Sequence, residues 1–232
     1  MPTPVLDWKP NHDPRSRNYS IRAALGTGLE RRDRQWAPGP VLDQRAEGAC
    51  VGFAFASEAL ADPIPVDVTR LRATVPHNLD HFARFLYGMA KYIDEWPDEN
   101  YEGTSVNAGA KSARNIGILN TYHWAFDIDA VIDAVCHVGP VVIGSNWHQG
   151  MYDAPGGVLT PSGPVVGGHA YLLTGFRLSS FRLGGAPSLT VKNSWGTGWG
   201  TNGLAEIGIP HMAALLAQSG EACIPTSRSY GR

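Results

Sequence analysis

The chain has 232 residues, a formal net charge of −2 and a hydrophobic fraction of 43%, which together predict a folded protein with room for two small lobes. The near-neutral charge disfavours a dedicated nucleic-acid-binding protein, which usually carries a strong basic excess. No apolar stretch approaches the roughly 18 residues that a membrane-spanning helix needs. The first residues also lack the basic and then apolar pattern of a secretory signal.

The predicted elements change character near Pro140. Residues 1–40, rich in proline, arginine and aspartate, are predicted to form an irregular arm on the surface. Apolar spacing then predicts helices at 49–60, 78–93, 105–117 and 128–137, the second capped by Asn78 and the third by Ser105. After Pro140 the pattern predicts strands at 141–145, 170–176, 189–193 and 204–207.

This order of helices followed by strands predicts an α+β protein. We expect a helical lobe over residues 41–125 and a β-rich lobe over residues 126–232, after the arm of residues 1–40. A cleft between two lobes is a usual place for an active site.

Three short segments carry side chains with complementary chemistry. Cys50 stands at the start of a predicted helix, where the helix dipole and free N–H groups favour a thiolate. His169 opens an apolar strand that would hold it firmly, as a general base requires. Asn193, at the end of another strand, can accept the second ring N–H of the histidine. We therefore expect a thiolate–imidazolium pair oriented by the asparagine.

Two further residues extend this hypothesis. Trp195 is placed to keep water away from the histidine–asparagine hydrogen bond. Gln44 can donate its amide N–H to a developing oxyanion, beside the backbone N–H of Cys50.

These segments resemble the papain and cathepsin family of cysteine proteases, and the resemblance covers most of residues 41–225. A glutamine six residues before the nucleophile is typical of that family, as Gln44 is here. His169 follows Cys50 by 119 positions and Asn193 by 143, against about 130–150 for both in the family. The segment Asn193-Ser-Trp-Gly-Thr-Gly-Trp-Gly is specific to the family. The resemblance implies a papain-like two-lobe fold, with a helical lobe, an antiparallel sheet or barrel lobe, and the active site in the cleft.

Departures from the family pattern predict the redox setting. Val51 and Glu47 occupy positions where the family has a tryptophan and a cysteine, and Cys223 lacks its usual partner. The family disulfides are therefore expected to be absent, which favours the cytoplasm or another reducing compartment. The stretch of roughly 40 residues before Gln44 is too short for the family's helical propeptide.

The substrate-binding residues rest on the same resemblance. The stretch at Gly103 resembles a family segment whose backbone pairs with an extended peptide, although a simple loop glycine explains it equally well. Gly144 and Ser145 lie where the family builds its main side-chain pocket. Gly168, next to the histidine, is the third predicted substrate-binding glycine.

The resemblance implies a cysteine endopeptidase that hydrolyses peptides or proteins through an acyl-enzyme thioester. A transpeptidase or amidase using the same three residues is one alternative, and a non-catalytic binding or structural module is another. No metal or other cofactor and no nucleic-acid partner is expected, and the sequence leaves the oligomeric state open.

Overall fold

The computed structural model describes residues 4–26, 28–68, 78–96 and 101–228. Its helices are α1 (Ile21–Leu25), α2 (Cys50–Ala59), α3 (Leu79–Ile93), α4 (Val106–Asn115), α5 (Ile128–His137) and α6 (Ile209–Ala217). Its strands are β1 (Arg34–Gln35), β2 (Leu119–Ala125), β3 (Val141–His148), β4 (Val158–Leu159), β5 (Val165–Arg177), β6 (Ser188–Lys192), β7 (Leu204–Gly208) and β8 (Glu221–Arg228).

Local signals place the helix starts. The Asn78 side chain accepts hydrogen bonds from the backbone N–H groups of Asp80 and His81, and so caps α3. Ser105 caps α4 in the same way through the N–H of Ala108. Each cap satisfies donors that the first turn of a helix leaves unpaired, so both predicted starts are confirmed.

The strands form one large mixed sheet in the order β2-β8-β3-β5-β6-β7-β4, with β1 paired to β5. Pairing is antiparallel except where β4 runs parallel to β7. The sheet is open at β2 and β4, so the second lobe is a sheet and not a closed barrel. Closure would require its two end strands to pair with each other.

Strand alternation divides the core between two faces of this sheet. Val142, Ala170 and Leu172 pack with the helices of the first half, around α2. Tyr171 and Leu173 point to the other face, where a second cluster lies. Because successive side chains of a strand face opposite sides, β5 contributes residues to both cores. The side chains on this strand are therefore held rigidly.

The N-terminal arm departs from the expectation of an irregular surface segment. It contains a 3₁₀ helix (Pro14–Tyr19) as well as α1 and β1. Residues 5–9 run between the two lobes, and Trp8 is only 4% exposed. The arm therefore contributes to the interior of the protein.

Among the described residues, no helix combines the length and apolar character needed to cross a membrane.

Candidate active site

Cys50 is the first residue of α2, as the sequence predicts, and it is fully buried. The backbone N–H groups of Ala170, Asp7 and Val51 all lie close enough to its sulfur to favour the thiolate. Ala170 follows His169 directly on β5, so the strand that carries the histidine passes beside the cysteine sulfur.

His169 and Asn193 form the hydrogen bond that the sequence predicts. The histidine Nε2 lies 2.8 Å from the asparagine Oδ1. That oxygen can only accept, so Nε2 carries the proton of the neutral ring and Nδ1 is left with a lone pair. Nδ1 is buried and has no hydrogen-bond partner in the described structure. The ring is therefore oriented with one nitrogen free to take up a proton.

A second contact fixes the asparagine. Its Oδ1 also accepts the backbone N–H of Ser194 at 2.8 Å, and its own backbone N–H donates to the carbonyl of Gly203. The side chain that orients the histidine is thus itself held by the chain on both sides.

The indole rings of Trp195 and Trp147 pack against the imidazole ring of His169. The Trp195 ring lies 4.8 Å from the His169 ring, centroid to centroid, and is 8% exposed. Trp147, at the end of β3, packs edge-on at 4.7 Å. Trp147 was not predicted, because the first strand of the β-rich lobe was expected to end at residue 145, whereas β3 continues to His148. Both rings pack against the imidazole, and the predicted role of Trp195 in keeping water from the histidine–asparagine hydrogen bond stays a prediction.

Gln44 lies in the same buried region, with its amide orientation fixed. Its Oε1 accepts from the Ser194 hydroxyl at 2.7 Å. Its Nε2 donates to the carbonyls of Glu47 at 2.8 Å and Val5 at 3.2 Å. The second of these is a peptide carbonyl from the N-terminal arm, so the amide predicted to bind an oxyanion already binds a carbonyl oxygen here.

The arm passes through the cleft as an extended segment. The Trp8 N–H donates to the carbonyl of Gly168 at 2.9 Å, on one wall. On the other wall, the Thr104 N–H donates to the carbonyl of Asp7 at 3.2 Å and the Lys9 N–H donates to the carbonyl of Thr104 at 3.0 Å. Backbone pairing of this kind is how an extended peptide adds to a strand edge.

Glycines from separate parts of the chain make room for this segment. A Cβ on Gly103 would lie 1.9 Å from the carbonyl oxygen of Asp7, and one on Gly168 would lie 2.2 Å from that of Trp8. A Cβ on Gly144 would lie 2.1 Å from the indole nitrogen of Trp8. All three glycines predicted to bind substrate therefore contact the arm, and their role toward substrate stays a prediction.

The docked arm changes the ionisation expected for the pair. Burial raises the pKa of the Cys50 thiol to about 11, against the opposing effect of the nearby backbone N–H groups. Burial also lowers the pKa of His169 to about 4, although the Asn193 hydrogen bond acts in the other direction. Desolvation disfavours both charged forms. Both shifts favour the neutral thiol and the neutral imidazole while the arm is docked, which is opposite in direction to the thiolate–imidazolium pair expected from the sequence.

An open cavity of about 920 Å³ adjoins the site where the arm enters it. Its walls include Pro4 of the arm, Arg45, Tyr152 and the two tryptophans of the Asn193 segment, Trp195 and Trp199. The cleft thus continues past the arm on the Trp195 side.

Other chemistry is sparse in the described residues. All three cysteines are free and buried. Within the described ranges, no three His, Cys, Asp or Glu side chains are grouped so as to hold a metal ion.

The fold and the Cys–His–Asn arrangement are those of a thiol protease, and comparisons with known proteins agree. Solved structures with similar folds include xylellain, a cysteine protease from Xylella fastidiosa, at a TM-score of 0.65 and 18% identity over 97% of each chain. Digestive procathepsin L 3 from the larval midgut of Tenebrio molitor matches at a TM-score of 0.61 and 18% identity, over 87% of this chain and 71% of that one. Digestive procathepsin L2 from the same tissue matches at 0.55 and 24%, over 97% and 79%.

The sequence model of the papain family cysteine proteases matches residues 84–217. The chain therefore belongs to the papain family of cysteine proteases. The matched region contains His169 and Asn193, whereas Gln44 and Cys50 precede it. No match is found among proteins of curated function.

Proposed function

We propose that the chain is a cysteine endopeptidase that hydrolyses peptide bonds through a thioester on Cys50. The observation that carries this proposal is the binding of an extended peptide segment, the arm, across the buried cysteine, histidine, asparagine and glutamine. A site that holds a peptide backbone on both walls, with an amide donor on one carbonyl, has the shape that peptide hydrolysis needs.

The chemistry begins with a proton transfer. His169 takes the thiol proton of Cys50 on Nδ1, and the resulting thiolate attacks the carbonyl carbon of the scissile bond. Negative charge moves to the carbonyl oxygen, where the Gln44 amide and the Cys50 backbone N–H donate to it. Asn193 holds the imidazolium in place through Nε2.

The second half returns the enzyme to its starting state. The imidazolium gives its proton to the departing amine nitrogen as the C–N bond breaks, which leaves an acyl group on sulfur. His169 then takes a proton from water, the hydroxide oxygen attacks the thioester, and the carbon–sulfur bond breaks to release the acid. The imidazolium returns its proton to the Cys50 sulfur. The part of the substrate on the amine side of the scissile bond can bind in the cavity beside Trp195.

The arm has to leave before this cycle can start. Its Val5 carbonyl occupies the Gln44 amide, and its Asp7 N–H lies against the Cys50 sulfur. With the arm docked, Cys50, His169 and Gln44 are all 0% exposed. Release would rehydrate the pair and remove the burial that favours its neutral groups, so that the ion pair predicted from the sequence can form.

Cleavage of a random peptide library by the full chain tests the proposal. The parent and a Trp8→Ala variant, whose arm is loosened, should both cut peptides, the variant faster. Cys50→Ala in each background is the matched control and should cut none. Adding a primary amine distinguishes hydrolysis from transfer, because a transpeptidase would give mainly the amide product.

Cleavage that survives in Cys50→Ala would contradict the proposal. So would a Trp8→Ala variant that exposes its cysteine to alkylation and yet cleaves nothing, which is the behaviour of a non-catalytic binding module.

A further inference from the structure

We propose that Tyr87 is a positioning residue for peptide substrates, because its hydroxyl fixes the peptide-binding edge relative to Cys50. The peptide-binding edge is the pair Gly103 and Thr104, which lies along the docked arm. This inference deepens the proposed peptidase function and rests on it for the cleavage readout. Tyr87 was not among the site residues predicted from the sequence.

The peptide-binding edge holds the arm by its backbone. Thr104 donates its N–H to the carbonyl of Asp7 and accepts the N–H of Lys9. Gly103 lies against the same Asp7 carbonyl, in a backbone conformation with φ of +88° that favours glycine. A substrate that pairs with this edge lies at a distance from Cys50 that the position of the edge decides.

The Tyr87 hydroxyl holds the edge from behind. It accepts the backbone N–H of Gly103 at 2.9 Å. Gly103 is buried, and a buried N–H that loses its acceptor is costly. Burial raises the pKa of Tyr87 to about 12, so the hydroxyl is uncharged at neutral pH. The position of Gly103 therefore depends on this one side chain.

The base of the Tyr87 side chain lies against the helix that carries the nucleophile. A Cβ on Gly52, two residues after Cys50 on α2, would lie 2.6 Å from the Tyr87 Cβ and 2.4 Å from the carbonyl oxygen of Ala83. Helix α3 thus packs directly on the first turn of α2. The Tyr87 side chain therefore connects the helix that carries the sulfur with the edge that carries the peptide.

Two more side chains from α3 and its C-terminal end hold the segment around this edge. The Lys91 ammonium donates to the carbonyl of Tyr101. The Asp94 carboxylate accepts from the hydroxyls of Tyr101 and Thr104. Tyr87, Lys91 and Asp94 follow each other at intervals of four and three residues, the spacing of one helix face. This face of α3 therefore supports the whole segment, and Tyr87 connects it to α2.

Loss of the hydroxyl should displace the edge and leave the peptide bound to it. Without an acceptor for the Gly103 N–H, the correctly placed fraction of the edge falls by the factor that the hydrogen bond contributes. That factor is about tenfold, which corresponds to about 1.4 kcal/mol. The hydrogen bonds between a peptide and Thr104 move with the edge, so the peptide still binds. The scissile carbonyl is then misplaced relative to the sulfur, and the loss falls on kcat rather than on KM.

The test compares a long and a short substrate in the Trp8→Ala full chain. In Tyr87→Phe, kcat for an extended fluorogenic peptide should fall about tenfold, with little change in KM. Hydrolysis of p-nitrophenyl acetate, which is too short to reach Thr104, should keep its rate. Tyr92→Phe is the matched control, because Tyr92 lies on the same helix and is 85% exposed; it should alter neither reaction.

Three results would overturn the positioning role. They are an unchanged kcat for the peptide, a loss confined to KM, and equal losses for the peptide and the acetate ester. The last is the result expected if Tyr87 only stabilises the fold.

Alkylation separates this role from hydrolysis. A peptidyl chloromethyl ketone reaches Cys50 along the peptide-binding edge, whereas iodoacetamide does not use the edge. Tyr87→Phe should slow labelling by the saturating peptidyl reagent about tenfold and leave the iodoacetamide rate unchanged. This contrast in a chain that cleaves no peptide would uphold the positioning role and reject the peptidase. Cleavage of peptides together with an unchanged peptidyl labelling rate would reject the positioning role and uphold the peptidase.

Discussion

Replacing Trp8 by alanine is expected to expose Cys50 to small electrophiles. The indole is almost completely buried and donates to Glu221. Truncating a buried tryptophan costs about 3–5 kcal/mol in protein cores. The lower figure alone shifts an equilibrium by about a hundredfold, since each 1.4 kcal/mol is a factor of ten.

This cost falls mainly on docking of the arm, because the lobes have cores of their own. If the arm opens and closes faster than the reagent reacts, the rate of modification follows the open population. Alkylation of Cys50 by iodoacetamide should therefore speed up about a hundredfold, until most molecules are open. Peptide mapping after timed quenching gives the rate for each cysteine separately.

Cys136 is buried in the other core cluster and serves as the internal control for unfolding, whereas Cys223 shares a cluster with Trp8 and Cys50. Phe181→Ala, at a fully exposed aromatic residue, is the control for aromatic truncation and should leave all three rates unchanged. Equal acceleration of the three cysteines in Trp8→Ala would mean general unfolding. An unchanged Cys50 rate would refute the reasoning that the arm shields the site.

Three further results follow. In the Trp8→Ala background, Gln44→Ala should lower kcat by about 10²–10³ with little change in KM, because its amide acts on charge that appears in the transition state. An unchanged kcat would show that the Gln44 amide does not bind the oxyanion. Burial, then the neighbouring Glu102, raises the pKa of Asp7 with the arm docked. The Asp7 carboxyl therefore stabilises arm docking fully at pH values below its pKa in the released arm. This stabilisation is lost as the pH rises through its higher pKa in the docked arm. The rate of Cys50 alkylation in the parent, divided by the rate in Asp7→Asn, should rise with pH between these two pKa values. A ratio that does not change with pH would count against a role of the Asp7 carboxyl in docking. Denaturing alkylation followed by intact-mass measurement should find three modified thiols, whereas one modified thiol would reveal a disulfide.

Elements with complete local signals could be predicted from the sequence. Helix α5 occupies Ile128–His137 as predicted, since Asp127 caps it and its apolar positions follow the helical period. The candidate site was also largely predictable: the histidine–asparagine hydrogen bond and the position of the cysteine at a helix start depend on short motifs that the strands and the helix present directly.

Elements defined by distant partners were missed. Strands β2 and β8 pair with each other across about half of the chain, and neither has the strict apolar alternation that predicts a strand; β8 also contains Pro225. These strands form because they pair with each other, and a short stretch of sequence does not reveal such pairing.

Docking of the arm was unpredictable for the same reason. Nothing in the sequence around Trp8 indicates burial, and the glycines that admit the segment, at positions 103, 144 and 168, lie far apart in the chain. Only the folded protein brings them to one cleft. Burial of the cysteine–histidine pair depends on that docking and favours the neutral groups, whereas the helix dipole favours the thiolate.

The most direct test of the account is to trap an acyl group on the enzyme. Trp8→Ala protein mixed with a peptide ester and quenched in acid should show an intact-mass increase equal to the acyl group. Peptide mapping should place it on Cys50, with much less in the parent chain and none in His169→Ala. An acyl group on Cys136 or Cys223, or none on any residue while the ester is still hydrolysed, would contradict a Cys50 thioester mechanism controlled by the arm.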